Sequence, residues 1–225
     1  MTSSTADRGT VLVTGASRGL GRALAELYAA AGFRVIACMR QAMPGAEALD
    51  VADAGSIAAL AERLKGQPID IVVNNAAVRG DTGGLYTLET GDFLEVMRVN
   101  ALAPLLLARA LRPNLLAGGR RVLVNIGSRA GSLAEGTIDD EDGDYAYRCS
   151  KAALNMATVK LAQDFRRDGI AVISLHPGWV RTDMGGVEAA VDVAESAVGL
   201  KALIDATTLA ETGSFRAYDG RTVAW

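Results

Sequence analysis

The stretch that decides the fold is TVLVTGASRGLGRALAELYAAAG, residues 10–32. Its β-branched start predicts a buried strand that ends at Thr14, and its alanine- and leucine-rich remainder predicts a helix that opens near Leu20. Three glycines occupy the turn between them, namely Gly15, Gly19 and Gly21. Glycine lets a backbone turn tightly and approach a ligand closely, and a helix N-terminus offers free N–H groups to a pyrophosphate. The turn, including Ser17 and Arg18, therefore predicts a dinucleotide site, with a ligand-free tight connection as the alternative.

The alternation of strand and helix continues along the chain. Further strands are predicted at 33–39, 69–75, 120–126, 170–177 and 214–220, and helices at 20–31, 56–65, 90–116, 145–167 and from about Val193. Strands that are apolar on both faces belong to a parallel sheet covered by helices. We therefore predict an α/β fold, a Rossmann-type doubly wound parallel sheet with helices on both faces, in one domain that spans residues 1–225.

Composition excludes several classes of protein. The chain has 225 residues, 50% of them hydrophobic, which is enough for one full core. Its net charge of −3 argues against binding to nucleic acid or to an anionic membrane surface. The polar N-terminus is unlike a signal peptide, no apolar run has the roughly 18 residues of a membrane span, and two cysteines form no metal pattern. We expect a cytoplasmic protein with no metal, nucleic-acid or membrane partner.

The end of the second predicted strand bears on the choice of nucleotide. An acidic residue there binds the adenosine ribose hydroxyls of NAD, whereas an arginine accommodates the 2′-phosphate of NADP. In this chain RVIACMRQ ends with Arg40 and has no acid, and Arg18 in the glycine turn is a second cation. Guanidinium groups bind phosphate through paired hydrogen bonds. The sequence therefore favours NADP(H) over NAD(H), and the alternative is that both arginines are simply exposed.

A second segment with candidate catalytic residues is DYAYRCSKAALNM, which begins at Asp144. Residues four apart share a helix face, so Tyr147 and Lys151 are neighbours, whereas Tyr145 lies far around the helix. A phenol has an ordinary pKa near 10, and a nearby cation lowers that value towards neutral pH. We therefore predict that Lys151 lowers the pKa of Tyr147 and that Tyr147 works as a general acid or base.

Seven short motifs, in this order, resemble those of the short-chain dehydrogenase/reductase family over nearly all of the chain. They are TGASRGLG (14–21), DV (50–51), NNAA (74–77), Asn100 in MRVNALAP, NIGS (125–128), YRCSK (147–151) and HPGWVRT (176–182). YAYRCSKAALNM, HPGWVRTDMGG and YDGRTVAW are similar to the carbonyl-reductase branch that contains Sniffer and the bacterial C-factor proteins. The resemblance implies about seven strands in the order 3-2-1-4-5-6-7 and hydride transfer between NADPH and a small carbonyl or alcohol. Long helices often build subunit interfaces in the family, which leaves a homodimer or a homotetramer open.

The resemblance also implies roles for individual residues. Tyr147 would protonate the carbonyl oxygen, Ser128 would hydrogen-bond it, and Lys151 would hold the nicotinamide ribose. Asn100 would hold a water that relays protons through Lys151. Cofactor contacts are implied for Gly15, Ser17, Arg18, Gly19, Leu20, Gly21, Arg40, Asp50, Val51, Asn75, Ala76, Ala77, Tyr147, Lys151, Pro177, Gly178, Val180 and Thr182. Ala77 departs from the family, which usually has glycine at that position.

The sequence leaves two other functions open. A nucleotide-binding signalling or redox-sensing protein of the C-factor type, or an NAD-dependent alcohol dehydrogenase, would share most of these motifs. His176 lacks a carboxylate or metal partner by spacing and is interpreted as structural, and a redox role for Cys149 is not favoured. The segment 134–144 has six acids in eleven residues and is predicted to be a solvated loop. Residues 183–192 are expected to cover the substrate. Their short sequence, rich in glycine and alanine, suits a broad range of carbonyl substrates.

Overall fold

A parallel sheet forms the centre of the structure, which is a computed structural model and describes residues 8–41, 43–136 and 143–225. Its strands are β1 (Thr10–Thr14), β2 (Arg34–Met39), β3 (Glu47–Ala48), β4 (Ile71–Asn74), β5 (Val122–Ile126), β6 (Ala171–His176) and β7 (Phe215–Ala217). They are ordered β3-β2-β1-β4-β5-β6-β7, and neighbouring strands pair in parallel. The predicted doubly wound sheet and its strand order are confirmed.

Helices cover both faces of this sheet. They are α1 (Gly19–Ala30), α2 (Ala54–Arg63), α3 (Thr90–Met97), α4 (Ala103–Ala117), α5 (Tyr145–Phe165) and α6 (Val193–Ala206). The strand residues alternate between two cores, as the two-residue period of a strand requires. Leu12 of β1 packs with α2, α4 and α5, whereas its neighbours Val11 and Val13 pack with α1 and α6. Apolar residues on both faces of the central strands β1, β4, β5 and β6 are thus buried.

The predicted helix 90–116 is interrupted in the structure. A π-helical turn, Arg98–Leu102, separates α3 from α4. Pro104 lies at the start of α4, and a proline has no N–H to donate to the carbonyl four residues earlier, here that of Asn100. A π-turn is one way in which a helix accommodates such a missing bond. The interruption occurs at the residue that the sequence assigned to the active site.

Several other boundaries differ from the prediction, among them α2, which is Ala54–Arg63 rather than 56–65, and β7, which is shorter than 214–220. The strand β3 was not predicted, because a strand of two residues is too short to show periodicity. The helix predicted to reach Arg167 ends at Phe165 and continues as a 3₁₀ turn, Arg166–Asp168. In the described part of the chain, no helix is both long and apolar enough to cross a lipid bilayer.

Candidate active site

A cavity of about 1360 Å³ opens along the carboxyl ends of the strands. In a doubly wound sheet this edge is where ligands bind. All the predicted site residues except Asn100 line it: Gly15, Ser17, Arg18, Gly19, Leu20, Gly21, Arg40, Asp50, Val51, Asn75, Ala76, Ala77, Ser128, Tyr147, Lys151, Pro177, Gly178, Val180 and Thr182. The motifs that lie far apart in the sequence therefore meet at one site.

The glycine turn is held open as a cradle beside the end of β4. Gly15 and Gly19 have φ angles of +66° and +54°, in the left-handed region that favours glycine. A Cβ atom on Gly15 would lie 3.0 Å from the Cα of Ala76, and one on Gly21 would collide with the side chain of Asn75. Larger residues at these positions would fill the space or displace β4.

Two polar side chains fasten this cradle to the neighbouring strand. Thr14 Oγ1 accepts hydrogen bonds from the N–H groups of Asn75 (2.9 Å) and Ala76 (3.0 Å). Asn75 Nδ2 donates in return to the carbonyl of Thr14 at 2.9 Å. These bonds join the carboxyl ends of β1 and β4 beside the turn. A glycine turn at the N-terminus of a helix fits the pyrophosphate of a dinucleotide.

The two predicted phosphate-binding arginines have different surroundings. Arg18 Nη1 forms an ion pair with Asp183 at 2.7 Å, and both side chains are 73% exposed. Arg40 is exposed on the wall of the cavity and forms no ion pair within the described ranges 8–41, 43–136 and 143–225. Asp50 lies near it but accepts a hydrogen bond from the N–H of Ala52 at 3.0 Å. Of the two arginines, Arg40 is the one whose guanidinium is available for a ligand.

At the other end of the cavity, Ser128 after β5 converges with Tyr147 and Lys151 of α5. The hydroxyl of Ser128 hydrogen-bonds the phenol of Tyr147. Lys151, one helical turn after Tyr147, is 3% exposed and lies with its Nζ 5.6 Å from the centroid of the Tyr147 ring. Tyr145, in contrast, is 40% exposed and does not line the cavity. The helical spacing therefore identified the correct tyrosine as the neighbour of Lys151.

The prediction that Lys151 lowers the pKa of Tyr147 is wrong for this structure. Burial raises the pKa of Tyr147, and the opposing influences are the Ser128 hydrogen bond and the positive charge of Arg79. The ammonium of Lys151 instead donates to the carbonyl of Ile126 at 2.8 Å. Burial lowers the pKa of Lys151 to about 8. Tyr147 is therefore a protonated phenol beside a cation that loses its proton readily.

Asn100 lies beneath the cavity, where its side chain braces two segments. Its Oδ1 accepts from the N–H of Val78 at 2.9 Å, and its Nδ2 donates to the Val78 carbonyl at 2.7 Å and to Ser150 Oγ at 3.0 Å. These bonds use both amide hydrogens. A water held by Asn100, as the resemblance implies, would therefore depend on its main-chain carbonyl, which Pro104 leaves without the usual helical partner.

Sequence reasoning missed the charged residues that surround Tyr147. Arg79 binds Asp144 through two hydrogen bonds, of 3.1 and 2.6 Å, and both residues line the cavity. Arg129, directly after Ser128, and Arg148, directly after Tyr147, line it too. The position of Arg129 next to the predicted serine could have indicated it, but nothing in the sequence links Arg79 to Asp144, 65 positions away.

The predicted acidic loop is tied down at both ends. At one end Glu135 pairs with Arg221 at 2.9 Å and accepts the N–H of Ala224 at 2.7 Å. At the other end Asp144 holds Arg79. Residues 137–142 of the predicted loop lie outside the described ranges.

The covering segment predicted at 183–192 follows β6. Val180 and Val191 pair at its base, where Arg181 N donates to the Val191 carbonyl at 2.9 Å. Met184 lines the cavity and Val187 is 82% exposed, so the segment presents larger apolar side chains than its glycines suggested. The ion pair between Arg18 and Asp183 joins it to the glycine turn.

His176, the chain's one histidine, ends β6 and has a structural contact. Its Nδ1 accepts the N–H of Arg129 at 3.3 Å. Burial, together with the charges of Arg129 and Arg221, lowers the pKa of His176 from 6.5 to about 4. A neutral ring that accepts a backbone N–H agrees with the structural interpretation.

This lowered pKa predicts a loss of stability in acid. Between pH 6.5 and 4 the unfolded chain binds a proton at His176 that the folded chain does not, so stability falls as the pH falls through that range. At pH 5 the difference is about 2 kcal/mol, or several degrees in Tm. His176→Asn keeps an acceptor near the Nδ1 position and should lose several degrees less than the native chain between pH 7 and pH 5. Equal losses in thermal unfolding of the two proteins would contradict this origin.

Comparisons with known proteins agree with this geometry. The family model described as short chain dehydrogenase matches residues 9–191. The chain is 40% identical over 158 residues to the C-signal protein of Myxococcus xanthus, covering 70% of this chain and 93% of that protein. The NADPH-bound carbonyl reductase from chicken fatty liver superposes with a TM-score of 0.89 at 32% identity, covering 97% of this chain and all of that one. Carbonyl reductase Sniffer of D. melanogaster has a TM-score of 0.89 at 28% identity, over 96% of this chain and 99% of that one.

Proposed function

Because the chain belongs to the short-chain dehydrogenase/reductase family, on the branch of Sniffer and the C-factor proteins, we propose that it is an NADPH-dependent carbonyl reductase. The proposal rests above all on one arrangement at the end of the cavity. A protonated Tyr147 phenol there meets the Ser128 hydroxyl and the buried Lys151 ammonium. The glycine cradle lies along the same cavity, whose wall also includes Arg40, a residue with no ion pair among the described residues.

The residues that would hold the cofactor are those that the family resemblance implies, and all of them line the cavity. Gly15, Gly19 and Gly21 leave room for the pyrophosphate at the N-terminus of α1. Arg40 would bind the 2′-phosphate, and Asp50 and Val51 would flank the adenine. Beyond the cradle, Asn75, Ala76 and Ala77 would line the cofactor, and the nicotinamide would face Pro177, Gly178, Val180 and Thr182. When bound, NADPH supplies a hydride to the substrate carbonyl carbon.

The side chains of the chain itself supply the proton and the orientation. Ser128 would donate its hydroxyl hydrogen to the carbonyl oxygen and fix the direction of that oxygen. Tyr147 would give its phenolic proton to the same oxygen as negative charge develops there, which completes the alcohol. Because burial raises its pKa, the phenol carries that proton at neutral pH, and this favours the direction of reduction.

Lys151 would help to replace the proton that Tyr147 gives to the substrate. Its Nζ lies 5.6 Å from the ring centroid of Tyr147, and it would hold the nicotinamide ribose of the cofactor. With a pKa of about 8, its ammonium can also give up a proton to restore the phenol. Asn100 would contribute through the water bound at its main-chain carbonyl, as a path from Lys151 towards solvent.

The first experiment is the oxidation of NADPH and of NADH in the presence of aldehydes, quinones and diketones. We expect turnover with NADPH at a kcat/KM well above that with NADH. Tight binding of NADPH without oxidation by any carbonyl would overturn the reductase.

A second function has one observation in its favour. The C-signal protein, to which this chain is 40% identical over most of that protein's length, has a name that denotes signalling. A signalling protein would bind the nucleotide and need no proton donor. In that case NADPH would bind, and removal of the Tyr147 phenol would not measurably change the function of the protein.

A further inference from the structure

One charged side chain at the substrate end of the cavity has no use in the mechanism above. Arg129 lies directly after Ser128 in the 3₁₀ turn Arg129–Gly131, and its side chain lines the cavity. The turn is fixed in place, because Arg129 N donates to His176 Nδ1 at 3.3 Å and Ala130 N donates to Ser128 Oγ at 3.2 Å. The guanidinium therefore starts one residue away from the hydroxyl that would hold the carbonyl oxygen.

Three other arginines on the cavity wall have carboxylate partners, and Arg148 donates to the carbonyl of Gly136. Ion pairs join Arg79 to Asp144, Arg181 to Asp192 and Arg221 to Glu135. Among residues 8–41, 43–136 and 143–225, no carboxylate forms an ion pair with Arg129. Glu135 is near enough to feel its charge, but Arg221 and the N–H of Ala224 occupy the two Glu135 oxygens.

Arg129 is partly buried, and a partly buried arginine that forms no ion pair among the described residues is unusual. The charge of Arg129 also reaches the surrounding wall, where it helps to lower the pKa of His176 and of Glu135. The guanidinium of Arg129 has up to five N–H donors, and none of them forms an ion pair within the described part of the chain. Arg40 lies at the other end of the cavity, beside β2, so the two cations would not share one phosphate.

We propose that the natural substrate carries a carboxylate, which Arg129 binds while Ser128 and Tyr147 hold the carbonyl oxygen. This inference rests on the proposed reductase function and names its substrate class, an oxo-acid rather than a neutral aldehyde or ketone. Arginine suits the role because its planar fork binds both oxygens of a carboxylate. Arg129 is then a specificity residue, and the chemistry of hydride and proton transfer is unchanged by it.

The test compares pairs of substrates that differ only in charge. The pairs are 3- and 4-carboxybenzaldehyde and their methyl esters, with NADPH at saturation. For at least one isomer the native enzyme should prefer the acid to the ester in kcat/KM. In Arg129→Met, that preference should fall by about 10- to 100-fold, the value of a charged hydrogen-bonded pair. Arg129→Lys, which keeps the charge but loses the fork, should fall between the two.

A matched control removes the same charge elsewhere. Arg166 is exposed in the 3₁₀ turn after α5 and is remote from the cavity. Arg166→Met should keep the native preference for the acid. An equal drop in Arg166→Met would assign the effect to net charge and overturn the proposal, as would a native enzyme that turns over ester and acid equally.

A binding measurement separates this inference from the reductase itself. The alcohols 4-(hydroxymethyl)benzoate and its methyl ester are titrated calorimetrically into the complex with NADPH, in which no hydride can be transferred because both partners are reduced. Tighter binding of the acid that is lost in Arg129→Met supports the anion site, even if no carbonyl is reduced. Equal binding of acid and ester, together with turnover of both aldehydes, overturns the anion site and leaves the reductase standing.

Discussion

Replacing Tyr147 by phenylalanine is expected to lower kcat with NADPH and a carbonyl substrate by about 10³-fold. The substitution removes only the phenolic O–H, so the ring remains beside Lys151 and the helix α5 remains intact. Ser128 can still orient the carbonyl oxygen, but no side chain on the described wall of the cavity replaces the proton donor. Steady-state NADPH oxidation measures the loss, and the Kd for NADPH should change less than about threefold, because a single neutral hydrogen bond contributes little.

Tyr145 provides the matched control for this prediction. It lies two residues earlier on the same helix and is 40% exposed. Tyr145→Phe should therefore retain kcat within about twofold, as is usual for an exposed substitution away from the site. Comparable activity in Tyr147→Phe and Tyr145→Phe would show that the phenol at 147 is not the acid.

Replacing Arg40 by alanine is expected to raise the Kd for NADPH by about 100-fold and that for NADH by less than about threefold. The 2′-phosphate is the only group that distinguishes the two nucleotides, and a charge-assisted pair of this kind is worth about 1.5–3 kcal/mol. Arg40 has no ion pair in the described part of the chain, so its loss leaves no protein carboxylate unpaired. Fluorescence titration with each nucleotide measures both constants.

Arg18 is the control for Arg40 because it is the other candidate for the phosphate. Its guanidinium is largely exposed and already bound to Asp183, so Arg18→Ala should weaken NADPH binding by less than about tenfold. An equal loss for NADPH and NADH in Arg40→Ala would refute the assignment of NADP. A larger effect at Arg18 would transfer the phosphate site to the glycine turn.

The sheet could be predicted from the sequence because its strands are buried on both faces. Runs such as those of β1 and β5 are then continuously apolar and easy to find. The strand β3 has only two residues, so no pattern reveals it. The break before Pro104 was foreseeable in principle, since a proline deprives the Asn100 carbonyl of its helical bond. The break takes the form of a π-turn, in which Asn100 is hydrogen-bonded to Val78 and Ser150.

The candidate site was predictable where its residues follow strand ends. Ser128 after β5 and Pro177 after β6 line the cavity for that reason. The electrostatics were less predictable, because they depend on three-dimensional contacts. The bond of Lys151 to the Ile126 carbonyl and the pairing of Arg79 with Asp144 join distant segments. Burial, rather than Lys151, is the largest influence on the pKa of Tyr147 in this arrangement.

The central claim is that hydride passes from NADPH to a carbonyl carbon. Its most direct test is the reduction of 4-carboxybenzaldehyde with NADPH that carries two deuterium atoms at C4 of the nicotinamide, followed by mass spectrometry of the alcohol. The proposed function predicts one deuterium on the carbinol carbon with labelled cofactor in ordinary water, and none with unlabelled cofactor in deuterated water. Alcohol without deuterium from the labelled cofactor, or NADPH that binds and is never oxidised by this aldehyde or by the wider panel, would contradict it.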